Sequence, residues 1–309
     1  MTVLKTVNIK DFGKKIQGKV RDIYVQGDKR ILIATDRISA FDRNLGYIPQ
    51  KGAVLNLLAA FWFGKTKDII KNHLISVPDP NVSLVKSAKL IPIEMVVRGY
   101  ITGVTNTSIW GSYEAGERLI YGVKFPEGLR KNQKLPKPVI TPTTKAEKGH
   151  DERLTEKEIV QKKIVSLSQW KQMKKAALAL FARGQKICEK AGIILVDTKY
   201  EFGFLDGKLI LIDEIHTPDS SRFWIKKTYP ERFKKGLEPE NFDKEILRLW
   251  YAKKGYKGDG KPPEMSKKLI ADLFQRYMAI YEKITGKKFV QDTPKNVNKR
   301  IQDNLRGII

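Results

Sequence analysis

Val196-Asp197-Thr198-Lys199-Tyr200-Glu201-Phe202-Gly203-Phe204 is continued beyond Asp206-Gly207 by Leu211-Ile212-Asp213-Glu214-Ile215, two acid-bearing apolar runs on either side of a turn. Apolar residues flank its carboxylates, so Asp197, Glu201, Asp213 and Glu214 ride on strand-like sequence. Asp-Gly between two apolar runs predicts a hairpin. Acids near the open end of that hairpin, with Lys199 and Arg222 close by, suit Mg²⁺ and a polyphosphate. The alternative is an exposed hairpin whose acids are solvated.

Register sharpens the choice. A two-residue Asp206-Gly207 loop pairs Glu201 with Ile212 and Tyr200 with Asp213. Directly paired side chains share a face, so Glu201 and Asp213 then point to opposite faces. A metal shared by both requires a three-residue loop with Gly207 left-handed in a bulge, or a strand that twists out near Asp213. One of these departures is expected.

The 309 residues suffice for two lobes, and 41% hydrophobic content suits a sizeable core. One cysteine, Cys188, excludes an intramolecular disulfide and a Cys-rich zinc site; its place on an apolar helix face predicts a buried thiol. His73, His150 and His216 lack metal-ligand spacing. Lys and Arg number 59 against 34 Asp and Glu, a net charge of +25 that favours anionic partners. These cations are spread along the chain without an arginine-rich tail or RNP-like aromatics. No signal-peptide pattern opens the chain, and the apolar run Ala53 to Phe63 is too short to span a bilayer. A cytoplasmic protein with no membrane and no nucleic-acid partner is expected.

In chain order, Gly18-Lys19-Val20-Arg21-Asp22-Ile23-Tyr24 and Arg30 to Thr35 predict a hairpin around Gln26-Gly27-Asp28-Lys29, with Lys19 and Arg21 on one face of its first strand. A glycine beside two cations can cover phosphates, although no Walker A sequence is present. An ordinary basic hairpin is the other reading. Asp36 to Asp42 forms a polar strand-terminal loop, and Gly52 to Phe63 predicts a core helix. Arg98, at the end of the apolar Met95-Val96-Val97 run, needs an anionic partner, either a carboxylate or a ligand phosphate. Pro92 marks a crossing between lobes, and residues 125–153 predict a long loop or lid. Thr155-Glu156-Lys157-Glu158 opens a helix with a capping box, and a second helix carries Met173, Ala177, Leu180 and Gly184 on one face before Gly192. Residues 225–309 read as mainly helical, with a core stripe at Ile270, Leu273, Phe274, Tyr277, Ile280 and Tyr281.

Taken together these motifs resemble one family, phosphoribosylaminoimidazole-succinocarboxamide synthase (SAICAR synthetase). The matching stretches are Gly18 to Tyr24, Asp36 to Asp42, Ile48 to Gly52 with Leu55-Asn56, Glu94 to Tyr100, Thr141 to Glu147, and Asp197 to Trp224. They occur in family order. The resemblance implies an α+β, two-lobed ATP-binding fold, distantly like kinases and ATP-grasp enzymes. It has an antiparallel-sheet N-terminal lobe (1–92), a substrate and metal-binding lobe (93–225) and a helical C-terminal region (226–309). It implies that ATP, L-aspartate and a carboxyaminoimidazole ribonucleotide give ADP, phosphate and the succinocarboxamide through an acyl phosphate, with Mg²⁺ on the ATP, in a monomer or homodimer.

Roles carry over from the resemblance residue by residue. Gly18, Lys19, Val20 and Arg21 are expected at the ATP phosphates, and Lys89, Leu90 and Ile91 at the adenine. Glu201 and Asp213 are the expected metal ligands, with Glu201 also in the ATP site. Arg98, Arg222 and Ser221 are expected on the ribonucleotide phosphate, and Asp197 and Lys199 at the imidazole carboxylate. Lys145 and Asp151 belong to the lid, and Asp36 and Ser39 to the L-aspartate pocket. Gln50 departs from the family's usual Gly, and Val104 from a phosphate-binding Ser that Thr105 or Thr102 would replace. A protein-kinase-like phosphotransferase, suggested by Glu201-Phe202-Gly203, lacks a His-Arg-Asp loop; a nucleic-acid-binding protein rests on the +25 alone.

Overall fold

The computed structural model describes residues 2–9, 12–41, 43–103, 107–145, 151–256, 258–292, 294 and 296–308. Strand β1 (Lys14–Gln17), β2 (Arg21–Gln26) and β3 (Lys29–Ala34) form an antiparallel meander. A small hairpin, β4 (Arg37–Ala40) and β5 (Arg43–Tyr47), leads into helix α1 (Lys51–Thr66). β6 (Leu74–Asp79) and β7 (Val82–Lys86) then complete a sheet of order β1-β2-β3-β7-β6. Most faces of α1 are buried, because it lies between this sheet and a later helix, so its apolar residues are not confined to one stripe.

The chain leaves this sheet at Ser87-Ala88 and enters a second one with β8 (Lys89–Ile101), a single strand that runs through Pro92. α2 (Ile109–Glu114), β9 (Leu119–Ile120) and β10 (Val123–Lys124) form a satellite with its own small core. β11 (Gln133–Thr144) returns along β8. Helices α3 (Glu156–Gln161) and α4 (Leu167–Lys190) both begin with complete capping boxes, at Thr155 with Glu158 and at Ser166 with Gln169. Gly192, at φ 73°, ends α4 in the left-handed conformation that glycine adopts without penalty. β12 (Ile193–Leu205), β13 (Lys208–Ile212) and β14 (Ser221–Ile225) finish the sheet. β8 lies along one edge of β12, while β14 and β13 share the other edge end to end. α5 (Tyr229–Lys234), α6 (Glu245–Lys253), α7 (Lys267–Thr285) and α8 (Val297–Leu305) follow.

The central hairpin turns through two residues, Asp206 and Gly207, both left-handed, and Glu201 pairs with Ile212. The three-residue loop is therefore not used. The other departure is: β13 stops at Ile212, and Asp213 takes φ 66°, which turns its carboxylate out of the strand's alternation. Gly203 is required here, since a Cβ would lie 2.9 Å from the Lys89 carbonyl oxygen. Gln50, the residue before α1, takes φ 60°, a conformation uncommon for a side chain that large. Cys188 is fully buried as expected, and burial pushes its thiol well above the ordinary range.

The larger core fills the space between α4 and one face of the second sheet, with Met95, Val97, Tyr200, Phe202 and Phe223 meeting Met173, Ala177, Leu180 and Phe181. A second core joins α1 to α6 and α7, and a third joins the N-terminal segment to the first sheet and α8. One polar hub ties several of these parts. Asp219 sits 2.7 Å from Lys51 and 2.9 Å from Lys244, and accepts a 2.6 Å bond from the Tyr277 hydroxyl. Burial pushes the Asp219 carboxyl up, but the two ammonium groups hold it well below the usual carboxylate range. Burial pulls Lys244 down to about 8 in spite of Asp219.

Two buried cations on one carboxylate make an asymmetric prediction. Asp219→Asn leaves both lysines uncompensated and should cost at least about 3–5 kcal/mol in urea unfolding. Lys51→Met leaves one lysine on one carboxylate and should cost less than about 2 kcal/mol. Equal losses would show that Asp219 is not the keystone of the hub.

Candidate active site

A β-strand sends alternate side chains to opposite faces, and β12 uses this fully. Thr198, Tyr200 and Phe202 enter the core, while Asp197, Lys199 and Glu201 line the other face. Cross-strand pairing extends each of these into a row. Glu201 pairs with Glu94 and Glu94 with Thr143; Lys199 pairs with Val96 and Val96 with Thr141; Asp197 pairs with Arg98 on one side and Arg222 on the other. The face is thus graded from an arginine end to an acidic end.

At the arginine end, the Asp197 carboxylate accepts from Arg222 at 2.6 Å and from Arg98 at 3.5 Å. Arg98 also donates to Thr141 Oγ1 at 2.8 Å and to the Thr107 carbonyl at 3.1 Å, and all three charged groups are nearly buried. Burial pulls the Arg98 guanidinium down, and Arg222 adds repulsion, while Asp197 opposes both. The anionic partner that Arg98 demands is therefore a protein carboxylate, with a second guanidinium drawn to the same oxygen. Arg222 Nη2 faces Gly103, where a Cβ would lie 3.2 Å from it.

At the acidic end, Lys199 bridges Glu94 at 2.5 Å and Glu201 at 3.1 Å, and Glu201 also pairs with Lys145. Arg21 reaches the same end and binds Asp213 and, at 2.9 Å, Glu214. Burial acts against Lys199, yet Glu201 and Glu94 hold its ammonium well above the ordinary range. Burial pushes Glu94 up, and the Glu201 and Asp151 charges add to that against Lys199. Burial also opposes ionisation of Asp213, but Arg21, Lys145 and Lys199 keep it ionised well below the usual range.

Among the described residues no three carboxylate, histidine or cysteine groups converge into a cage for a metal. Mg²⁺ does not need one, since it commonly takes one or two carboxylates and completes its octahedron with phosphate and water. Glu201 and Asp213, ionised or ion-paired beside cations that a nucleotide phosphate can recruit, fit that pattern.

Several expected residues are placed differently. Lys19 lies in the exposed turn Gly18–Val20 that joins β1 to β2, not on a strand face, because β1 pairs with β2 and the chain must reverse between them. Arg37 holds that turn by donating to the Gly18 and Lys19 carbonyls, both at 3.1 Å, and to Asp22 at 2.8 Å. Asp36 is not in the charged row. Its oxygens accept from the Leu4 and Gly52 backbone N–H groups at 2.8 and 3.0 Å, which fastens the N-terminal segment to α1. Ser39 faces Asn44 in the separate β4–β5 hairpin. Ser221 pairs with Thr198, on the core side, and donates to its hydroxyl at 2.8 Å, so it does not share a face with Arg222. Thr102 donates to Asn132 at 2.6 Å, while Thr105 and lid residues 146–150 lie outside the described residues. Asp151 is half-buried within electrostatic range of Glu94.

Lys89, Leu90 and Ile91 form an edge: β12 pairs with this part of β8, while β11 begins its pairing only at Ile93. Leu90 is 40% exposed and Ile91 buried. Glu201-Phe202-Gly203 lies inside β12 with Phe202 in the core, unlike the opening of an activation loop. Glu94 and Arg37 take part with no local sequence signal for it. Glu94 opens the Glu94 to Tyr100 stretch, but its role depends on its pairing with Glu201 on the distant β12.

Comparison with known proteins gives the family. The SAICAR synthetase family model matches residues 14–264. A phosphoribosylaminoimidazole-succinocarboxamide synthase of Legionella pneumophila (strain Paris) is 52% identical over 299 residues, 96% of this chain and 95% of its own. A chloroplastic one of Arabidopsis thaliana is 49% identical over 294 residues, 94% of this chain and 71% of its own. Among solved structures, SAICAR synthase from Saccharomyces cerevisiae complexed with SAICAR matches with TM-score 0.81 and 31% identity, over 93% of this chain and 100% of that one. A SAICAR synthetase in complex with ADP matches with TM-score 0.69 and 26% identity, over 90% and 100%. Fold and sequence place the chain among the ATP-dependent ligases. It belongs to the SAICAR synthetase family of purine biosynthesis.

Asp197→Asn should leave Arg98 and Arg222 facing each other without a charge between them, at a cost of about 3 kcal/mol or more. Added sulfate should restore part of that loss, and more than it adds to the wild type, because an anion takes the vacated place. A loss indifferent to sulfate would mean that the arginines are held apart by other groups.

Proposed function

We propose that the graded face of β12 carries the family's reaction, the ATP-dependent joining of L-aspartate to the carboxylate of 5-amino-1-(5-phospho-D-ribosyl)imidazole-4-carboxylate, giving SAICAR, ADP and phosphate. The observation that carries this reading is the single row from Arg222 and Arg98 through Lys199 to Glu201, with Arg21 and Asp213 at its far end. An imidazole ribonucleotide has a phosphate at one end and a carboxylate at the other, and the row offers guanidinium forks for the first and an ammonium for the second.

A carboxylate is a poor acyl donor because it would have to expel oxide. In the proposed first step, a carboxylate oxygen of the ribonucleotide forms a bond to the γ-phosphorus of ATP, and the bond from that phosphorus to ADP breaks. In the second, the aspartate amine forms a bond to the acyl carbon, the carbon–oxygen bond breaks, and phosphate leaves; the amine proton passes to phosphate or water. Lys199 and Lys145 hold the ribonucleotide carboxylate and neutralise charge as the phosphoryl group moves. Arg21 and Lys19 attract the ATP phosphates at the end of the first sheet, and the open edge at Lys89–Ile91 meets the adenine through backbone groups. Glu201 and Asp213 would hold Mg²⁺, which when bound supplies charge neutralisation at the phosphate oxygens. Asp197 aims the two arginines and does not meet the carboxylate chemistry directly. Asp151 closes the lid side, near Glu94.

Purified protein with Mg·ATP should release ADP only when the ribonucleotide and L-aspartate are both present. Release with neither would identify a generic ATPase and overturn the proposal. Asp213→Asn should reduce turnover on the order of 100-fold or more by removing an oxygen ligand; near-normal ADP release would remove Asp213 from the metal site. Arg222→Lys should raise the ribonucleotide KM far more than the ATP KM, because an ammonium cannot form the bidentate contact. Equal effects on both would contradict phosphate gripping.

A further inference from the structure

Arg222 is bracketed by two carboxylates, and only one of them, Asp197, belongs to the charged row. Nη1 donates to Asp197 at 2.6 Å. Nε is buried without a hydrogen-bond partner and lies 3.8 Å from Glu245 Oε2, while Nη2 faces Gly103. Glu245 is the first residue of α6, in the helical region that the sequence reading treated as packing. Its carboxylate is fixed in turn by Arg248, at 2.9 Å and one turn along the helix.

The residues before Glu245 hold β14 as an added strand would. Ile225 N donates to the Glu240 carbonyl at 2.9 Å, and Phe242 N donates to the Phe223 carbonyl at 3.0 Å. The two oxygens of buried Asp243 then accept from Phe223 N at 2.9 Å and from Glu245 N at 2.8 Å. Lys244 points to Asp219, three residues ahead of Arg222. Asp243, Lys244 and Glu245 thus touch, in order, the residue after Arg222, the loop before it and its own guanidinium.

A guanidinium is a planar fork, and orienting it requires contacts at more than one nitrogen. Asp197 alone fixes one corner and leaves rotation about that contact. The Glu245 carboxylate, 3.8 Å from Nε, restrains that rotation by charge without a hydrogen bond and leaves Nη2 toward Gly103. We propose that Glu245, seated by Asp243 and Lys244, is a positioning residue that aims Arg222 at the ribonucleotide phosphate. This rests on the reading of Arg222 given above. It assigns a part in substrate binding to α6, far along the chain from the motifs that carry the chemistry.

The test is a double-mutant cycle in the full chain, with KM measured for the ribonucleotide and for ATP. Glu245→Gln should raise the ribonucleotide KM on the order of tenfold and leave the ATP KM within about twofold. Its melting temperature should stay near that of the wild type. In an Arg222→Lys background the same change should have no further effect, because there is no fork left to aim. Glu245→Asp, which keeps the charge at a greater distance, should fall between. An unchanged ribonucleotide KM in Glu245→Gln, with the rise in Arg222→Lys intact, would overturn the positioning role and leave the reading of Arg222 standing. Equal effects in both backgrounds would also overturn it, since Glu245 would then act without Arg222. If Arg222→Lys does not itself raise the ribonucleotide KM, both ideas fall. Asp243→Asn provides a second variant: a selective ribonucleotide defect supports the clamp, and equal defects in both KM values count against it.

Discussion

Everything at the site depends on the two-faced alternation of β12. One strand supplies Tyr200 and Phe202 to the main core and Asp197, Lys199 and Glu201 to the reactive face. The core side fixes the register, because a one-residue slip would bury the charges and expose the aromatics. Charges on the other face are then tolerable for a different reason. Each is ion-paired with an opposite charge that reaches it on the same face, so none is buried alone. Packing on one face therefore sets the geometry of the chemistry on the other.

The segment between β13 and β14 carries this order out of the sheet. It leaves through left-handed Asp213, returns through Ser221, and so connects the acidic end to the arginine end within ten residues of sequence. Such a link would ordinarily be mobile, yet it is held at three points. Arg21 takes Asp213 and Glu214, the Tyr200 hydroxyl lies 2.5 Å from His216 Nε2, and Lys51 and Lys244 take Asp219. Burial pushes His216 down to about 3, which keeps it neutral and lets it serve as packing between Trp62 and Tyr200. The left-handed residues cost local strain, and the buried ion pairs hold them there.

Charge acts at two ranges. The net +25 of the chain is spread widely and raises the local concentration of anionic substrates without choosing among them. Within the site the cations are nearly matched by carboxylates, so selectivity comes from where each pair sits along the row. An excess of guanidinium at one end and of carboxylate at the other orients a ligand that is itself polar from end to end. Distance along one sheet face is the discriminating variable.

Local features are legible from the residues alone: the Asp206-Gly207 hairpin, the Thr155 capping box, the Gly192 stop, the α1 and α7 cores, the buried thiol and the need for an anion at Arg98. These follow from dihedral preference, side-chain period and the cost of an unpaired charge, all of which are set within a few residues. Hairpin register also narrowed the Glu201–Asp213 geometry to two departures. Tertiary structure decided which one, because the turn of Asp213 out of β13 is fixed by Arg21 from the first sheet. Tertiary structure also moved Asp36 into a backbone clamp, turned Ser221 to the core side, and brought in Glu94, Arg37 and Glu245. Their roles come from pairings between segments far apart in the chain, and no local property of a residue specifies which distant strand will lie beside it.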